Sequence, residues 1–169
     1  MENITSKFVP LLFAGDYNVY SVARAFHKEY GIKVTDYGKF YSGPCVASKI
    51  IDYRVEEKAD EKETFVKLVN EFAEEHADKK VLLIGCGDSY VELASANKSL
   101  LRENVVAPYI EADLMHKLID KEKFYGICDE VGISHPRTFV HKKSMGVEIK
   151  LPFEAPYIVK PANGIEYWK

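Results

Sequence analysis

Cysteine is scarce: Cys45, Cys86 and Cys128 are the only three in 169 residues. Odd in number and widely spaced, they do not form a disulfide framework, and a reducing cytoplasm is the expected compartment. No Cys-x-x-Cys occurs, and His27, His76, His116, His135 and His141 never fall at metal-ligand spacing, which argues against a protein-held zinc. No apolar run approaches the roughly 20 residues that span a bilayer. The short run from Phe8 to Gly15 is cut off by Asp16 and has no charged leader or small-residue cleavage signature, so it is read as a strand and not as a signal peptide. Basic runs are missing too. With 23 basic and 26 acidic residues, a net charge of -3 and no Lys/Arg patch, the chain lacks the electrostatic footprint of a nucleic-acid binder. The tyrosines and Trp168 are scattered and form no stacking platform for bases. Small molecules are the expected partners, with self-association into a homodimer left open.

A hydrophobic content of 47% is enough for one substantial core. Phe8 to Ala14 reads as a strand, followed by Val19, Val22, Ala23, Phe26 and Tyr30 at helical spacing, with Gly31 as the stop. Ile32 to Tyr37 and Lys49 to Val55 read as further strands, separated by the turn-rich Tyr41-Ser42-Gly43-Pro44. Phe65, Leu68, Val69, Phe72 and Ala73 share one face of a clear amphipathic helix. Val81 to Cys86 predicts a fourth strand, Ser89 to Arg102 a helix, and Val105 to Ile110 a fifth strand. Strands alternating with helices at this spacing predict an α/β fold with a mostly parallel sheet covered by helices on both faces.

After that the rhythm changes. Helices are expected near Asp113 to Ile119 and from Lys121 to Val131, where Phe124, Ile127, Cys128 and Val131 share a face and Gly132 ends the run. Thr138 to His141 and Tyr157 to Lys160 read as strands, joined by a polar turn around Lys142 to Gly146 and by the proline-bearing stretch Leu151 to Pro156. The expected organisation is a Rossmann-like domain over 1–111, a helical connector over 112–136, and the opening strands of a second domain over 137–169, truncated at Lys169.

Two turns share one local design. Gly15-Asp16 with Val19, and Gly87-Asp88 with Val91, both place Gly-Asp-x-x-Val where a strand passes into a helix. Each Asp is placed to cap its helix by accepting from free backbone amides. Ligands of such sheets bind beyond the carboxyl ends of the strands where the winding direction reverses. If the first and fourth strands are neighbours, Asp16, Asn18, Gly87, Asp88 and Ser89 border one crevice suited to an amino or hydroxyl group. An acidic cap also makes each turn a poorer phosphate cradle than a bare glycine loop. An S-adenosylmethionine-dependent methyltransferase or dinucleotide enzyme would need a small residue where Ser89-Tyr90 stand. It would also need a ribose-binding acid nearer than Glu111. Cys86 in the turn is read as a packed strand-end residue, although a nucleophile there is the other option.

Three segments occur in a characteristic order: Ile119-Asp120-Lys121; Glu130-Val131-Gly132-Ile133-Ser134-His135-Pro136-Arg137-Thr138; and Pro156-Tyr157-Ile158-Val159-Lys160-Pro161-Ala162-Asn163. They resemble the opening of an ATP-grasp domain, which in that superfamily follows a parallel-sheet pre-ATP-grasp domain. The stretch from Phe13 to Gly31, the Ser48–Ile51 segment, the Cys86–Leu93 turn, Ala107–Ile110, Phe124–Gly132 and Lys160–Trp168 are similar to D-aspartate ligases and related carboxylate-amine ligases. The resemblance implies a pre-ATP-grasp domain followed by the start of an α+β ATP-grasp domain. It implies a ligase that phosphorylates a carboxylate with ATP, aided by Mg2+, and lets an amine displace the phosphate. Such an enzyme joins a D-amino acid to a peptidoglycan precursor. Lys121 and Lys160 match the two family lysines that contact ATP phosphates, a role that suits a compact charge with three donors. Lys123 is a fallback. Without the motif, Lys121 is equally a solvated helix-start residue and Lys160 a strand-end charge. Asn163-Gly164 matches the start of the loop that closes over the phosphates, and by itself reads as an Asn-Gly hairpin turn. The family's magnesium ligands and catalytic residues are expected beyond Lys169, and this 169-residue piece alone is expected to be inactive. A non-catalytic ligand-binding or dimerisation module is the alternative from another class.

Overall fold

The computed structural model describes residues 4–167, so Trp168 lies outside the described residues. The chain divides into two compact units, Met1–Ala112 and Asp113–Lys169.

The first unit is built on five parallel strands, β1 (Phe8–Phe13), β2 (Val34–Gly38), β3 (Ile51–Val55), β4 (Lys80–Gly85) and β5 (Val105–Val106), in the spatial order β3-β2-β1-β4-β5. Helices α1 (Tyr17–Tyr30), α2 (Gly43–Val46), α3 (Lys62–Glu75) and α4 (Asp88–Ala96) connect them. The two-residue period of a strand sorts β1 between two cores. Leu11 and Phe13 pack with Phe65, Val69, Phe72 and Ala73 of α3 and with Tyr90 and Ala94 of α4. Leu12, on the opposite side, packs with Val19 and Ala23 of α1 and Cys45 of α2. Helices therefore cover both faces, as the strand–helix alternation predicts. Phe13 is the hub of its side: its ring lies 4.6 Å from Phe65, 5.5 Å from Tyr37 and 5.6 Å from Tyr90.

Local chemistry sets the element ends. Gly31 takes φ 69° past the end of α1, and its amide donates to the His27 carbonyl at 2.9 Å. That left-handed conformation suits glycine, which has no Cβ to clash. Pro44 stands in the first turn of α2, a short helix in the region read from sequence as a turn. The helix expected to run to Arg102 ends at Ala96, because Asn97 is buried and donates its side-chain amide to the Leu93 carbonyl; a 3-10 turn follows over Lys98–Leu100. β5 is shorter than the predicted Val105–Ile110, since Pro108 has no amide to donate to a ladder. Past it, Ser95 Oγ donates to the Ile110 carbonyl at 2.6 Å and Lys98 pairs with Glu111 at 3.1 Å.

The second unit contains α5 (Ala112–Ile119), α6 (Lys121–Glu130), a 3-10 turn at Lys143–Met145 and a short helix α7 (Gly164–Tyr167). The predicted strands at 138–141 and 157–160 are not strands here. A strand exists by virtue of a ladder, and no described residue pairs with either segment. Ile158 and Val159 are 81% and 85% exposed. The turn expected around Lys142 to Gly146 does form, as the 3-10 turn.

Candidate functional site

β1 and β4 are hydrogen-bonded neighbours, with Phe13 opposite Gly85, while β2 and β3 lie on the far side of β1. The winding direction reverses between β1 and β4, so the turns leaving these two strands sit side by side at the switch point, where ligands of open α/β sheets usually bind. Asp16, Asn18, Gly87, Asp88 and Ser89 are all at this edge.

The two turns are not twins. Asp16 is the true cap of α1: its Oδ1 accepts from the amides of Asn18 at 2.8 Å and Val19 at 3.3 Å. In the second turn the helix begins one residue earlier, so Gly87 takes the cap position and Asp88 is the first helical residue, making no side-chain cap bond. The cap role expected for Asp88 is thereby corrected. Its carboxylate lies in the first turn, where it still meets the positive end of the helix dipole. Asn18 bridges the two turns, donating from Nδ2 to Asp16 Oδ2 at 3.0 Å and to the Cys86 carbonyl at 3.4 Å. Close packing fixes the second turn: a Cβ on Gly85 would sit 2.8 Å from the Tyr90 carbonyl carbon and the Val91 amide. The Gly85 amide donates to the Tyr109 hydroxyl at 2.7 Å, which donates in turn to the Leu83 carbonyl at 3.3 Å.

Beneath the first turn is a residue the sequence reading passed over. Asp36, in the middle of β2, is fully buried, and neither carboxyl oxygen has a hydrogen-bond partner. It shares a strand face with Val34 and lies opposite Leu12 in the ladder. Burial drives its pKa up to about 7, the nearby Asp16 carboxylate adds to this, and the Ala14 amide and Cys45 thiol pull the other way. The Ala14 amide is engaged elsewhere, with the Tyr37 carbonyl at 3.1 Å, and the Cys45 thiol donates to the Asp16 carbonyl at 3.7 Å. Burial also raises the thiols of Cys45, to about 11, and Cys86, to about 12. Neither therefore has the thiolate character of a nucleophile near neutral pH.

Tyr53 of β3 closes the cluster. Its hydroxyl donates to the Phe40 carbonyl at 2.8 Å and lies against Gly15, where a Cβ would come within 2.6 Å of it, and against Gly38. The Ser42 hydroxyl donates to the Gly15 carbonyl. Together Tyr53 and Ser42 fill the space beside the first glycine turn. The signal for Asp36 was available: an acid inside a strand of a sheet covered on both faces is an anomaly that demands a reason.

In the second unit, Asp120 caps α6 by accepting from the Lys123 amide at 3.0 Å. The Lys121 amide donates to the Ala162 carbonyl at 3.0 Å, which brings the start of α6 against the Lys160–Gly164 segment. Among the described residues, neither the Lys121 nor the Lys160 ammonium group has an ion-pair partner. Asn163 does not form a hairpin turn with Gly164. Its Oδ1 accepts from the amides of Ile165 at 3.0 Å and Glu166 at 3.2 Å, capping α7, because an Asn side chain satisfies free helix amides as readily as it supports a turn. Lys123 points along the concave surface that Lys117 and Gly126 also line. On the exit from α6, the His135 ring stacks on Tyr125 at 4.6 Å, and its Nε2 lies 3.0 Å from Asp129 Oδ1. No described cluster of three or more His, Cys, Asp or Glu side chains could hold a metal ion, and no described helix is long and apolar enough to cross a membrane.

The chain is 38% identical over 168 residues to the D-aspartate ligase of Enterococcus faecium (strain Aus0004), a match that takes in 95% of this chain and 40% of the relative. Among solved structures, an L-amino acid ligase from Bacillus licheniformis superposes with a TM-score of 0.55 and 18% identity, over 92% of this chain and 38% of that one. No protein-family model matches. The resemblance to D-aspartate ligase drawn from the motifs is therefore also present as identity along nearly the whole chain.

Proposed function

We propose that this D-aspartate-ligase-like chain forms part of an ATP-dependent carboxylate-amine ligase that joins D-aspartate, or a similar amino acid, to an amine of a peptidoglycan precursor in the cytoplasm. The observation that carries the proposal is the 38% identity over 95% of the chain. Since the chain spans 40% of that relative's length, the activity is proposed for the complete gene product. In this chemistry a carboxylate oxygen attacks the γ-phosphorus of ATP, forming an acyl phosphate and releasing ADP. The amine then attacks the acyl carbon, inorganic phosphate leaves, and the nitrogen gives up a proton to form the amide.

Phosphoryl transfer relies on positioning and charge neutralisation, which is the role proposed for Lys121 and Lys160 on the ATP phosphates. Magnesium would add to that neutralisation when bound. Asn163 and Gly164, beside the start of α6, are proposed to border the same phosphates. The crevice of Asp16, Asn18, Gly87, Asp88 and Ser89 is proposed to serve the amino-acid or acceptor side. Its support is the placement of both turns at the switch point and the hydrogen bonds of Asn18 across them.

The test is phosphate release by the complete gene product given ATP, magnesium and an amine-bearing precursor, with D- and L-amino acids in turn. Release that depends on both the amino acid and the precursor is expected. No release with any amino acid would sink the proposal.

A further inference from the structure

Three observations meet at the first turn. Among the described residues, neither Asp16 nor Asp88 has a cationic side chain paired with it, so the two neighbouring turns carry two carboxylates without a counter-charge. Asp36, fully buried directly below, keeps both carboxyl oxygens without a partner. The rim is aromatic: Tyr17 follows Asp16, and Phe40 and Tyr41 precede Ser42, which is bonded to the Gly15 carbonyl; all three rings are at least two-thirds exposed. Carboxylates beside exposed aromatic faces recognise a cation, by charge and by the ring quadrupole. The positive ends of α1 and α4 would favour an anion, but α1 already meets the carboxylate of its cap Asp16, and α4 that of Asp88 in its first turn.

We propose that this crevice binds a primary ammonium group and that Asp36, buried beneath Asp16, releases a proton to solvent when that group docks. Asp16 is the link. Its unpaired carboxylate opposes ionisation of Asp36, and an ammonium paired with Asp16 cancels that repulsion and adds an attraction of its own. The other titratable groups on the Asp36 side of the sheet are Cys45 of α2, Tyr53 of β3 and Cys86 of the second turn. All three are held neutral by burial, so none of them supplies a compensating charge. Binding of the amine and loss of the Asp36 proton are thermodynamically coupled in both directions.

The inference deepens the ligase reading and rests on it for the choice of amines, but it is tested separately. Titration calorimetry of the 169-residue chain at pH 7 uses two probes, Nα-acetyl-L-lysine methylamide for a side-chain ammonium and D-aspartate for an α-ammonium. Each is run in two buffers of different ionisation enthalpy. At least one amine is expected to bind, with a buffer-dependent heat equivalent to about half a proton released near the Asp36 midpoint, fading towards pH 9 where that carboxyl is already ionised. Asp36→Asn should bind the same amine without proton release, and Asp16→Asn should bind it about tenfold or more weakly. Should Asp36→Asn fail to fold, the Asp36 carboxyl carbon is titrated by NMR in the wild type, with a downward move of about one pH unit expected on adding the amine. Binding of neither amine, tighter binding of inorganic phosphate, proton release that persists in Asp36→Asn, or an unmoved carboxyl midpoint would each overturn the proposal. Phosphate release by the complete gene product tests the ligase reading, and either result can fail without the other.

Discussion

Replacing Asp36 by Asn should remove the pH dependence of stability that this one residue imposes. The folded chain holds the Asp36 carboxyl at about 7 against an ordinary 3.8, chiefly by burial. A raised folded value means that both states are protonated below 3.8 and no cost is felt. Between 3.8 and about 7 only the unfolded chain ionises, so wild-type stability falls as pH rises, by about 1.4 kcal/mol per pH unit. Above the folded value both states are charged and the cost levels off at about 4 kcal/mol, less whatever relaxation and water entry recover. The isosteric amide has no proton to lose, so Asp36→Asn should match or trail the wild type at pH 4 and exceed it by about 2 to 4 kcal/mol at pH 8. Urea unfolding of both proteins at pH 4, 5, 6, 7 and 8 measures this directly, because the other carboxylates cancel in the difference. A constant difference across the series would refute the argument. It would mean that Asp36 is ionised in the folded chain and partnered by solvent.

Gly85→Ala should destabilise the first unit by about 1 to 3 kcal/mol, since the new methyl meets the backbone of Tyr90 and Val91 at 2.8 Å; thermal unfolding checks it. Asp16→Ala should cost about 1 kcal/mol through its two lost cap bonds, while Asp88→Ala should cost less than half of that; equal costs would mean that the helix starts are alike after all. The His135 pKa is raised by its bonds to the Pro136 carbonyl and to Asp129. Its hold on α6 should therefore be full below the ordinary 6.5 and fade as pH rises past the raised value, seen as a shift of the stacked Tyr125 ring resonances that Asp129→Asn abolishes.

The sheet was legible because its evidence is periodic and local. Alternation in Phe8–Phe13 places Leu12 on one face and Leu11 and Phe13 on the other, and helical spacing in α1 and α3 marks the sides that cover them. That the two Gly-Asp turns stand side by side follows from the adjacency of β1 and β4. What escaped depended on contacts distant in sequence. Asp36 is unusual only in view of what buries it, and Tyr53 matters only because β3 carries it against Gly15 and Gly38. The single-residue offset between the two helix starts has no sequence signature, since Gly and Asp are both acceptable caps. The segments 138–141 and 157–160 have strand composition, but composition supplies no ladder partner.

The β1–β4 ladder has six paired positions, whereas β4–β5 has two. The longest seam in the sheet is thus the one whose end carries the two Gly-Asp turns, and the shortest is at the margin. Local opening begins where few bonds must break, so fraying of the β5 margin should leave the seam closed. A ligand held across the two turns, as proposed, would rest on a hinge-free base: the strands that carry Asp16 and Asp88 are fixed by paired backbone, and adaptation to different occupants would be left to the side chains of the turns.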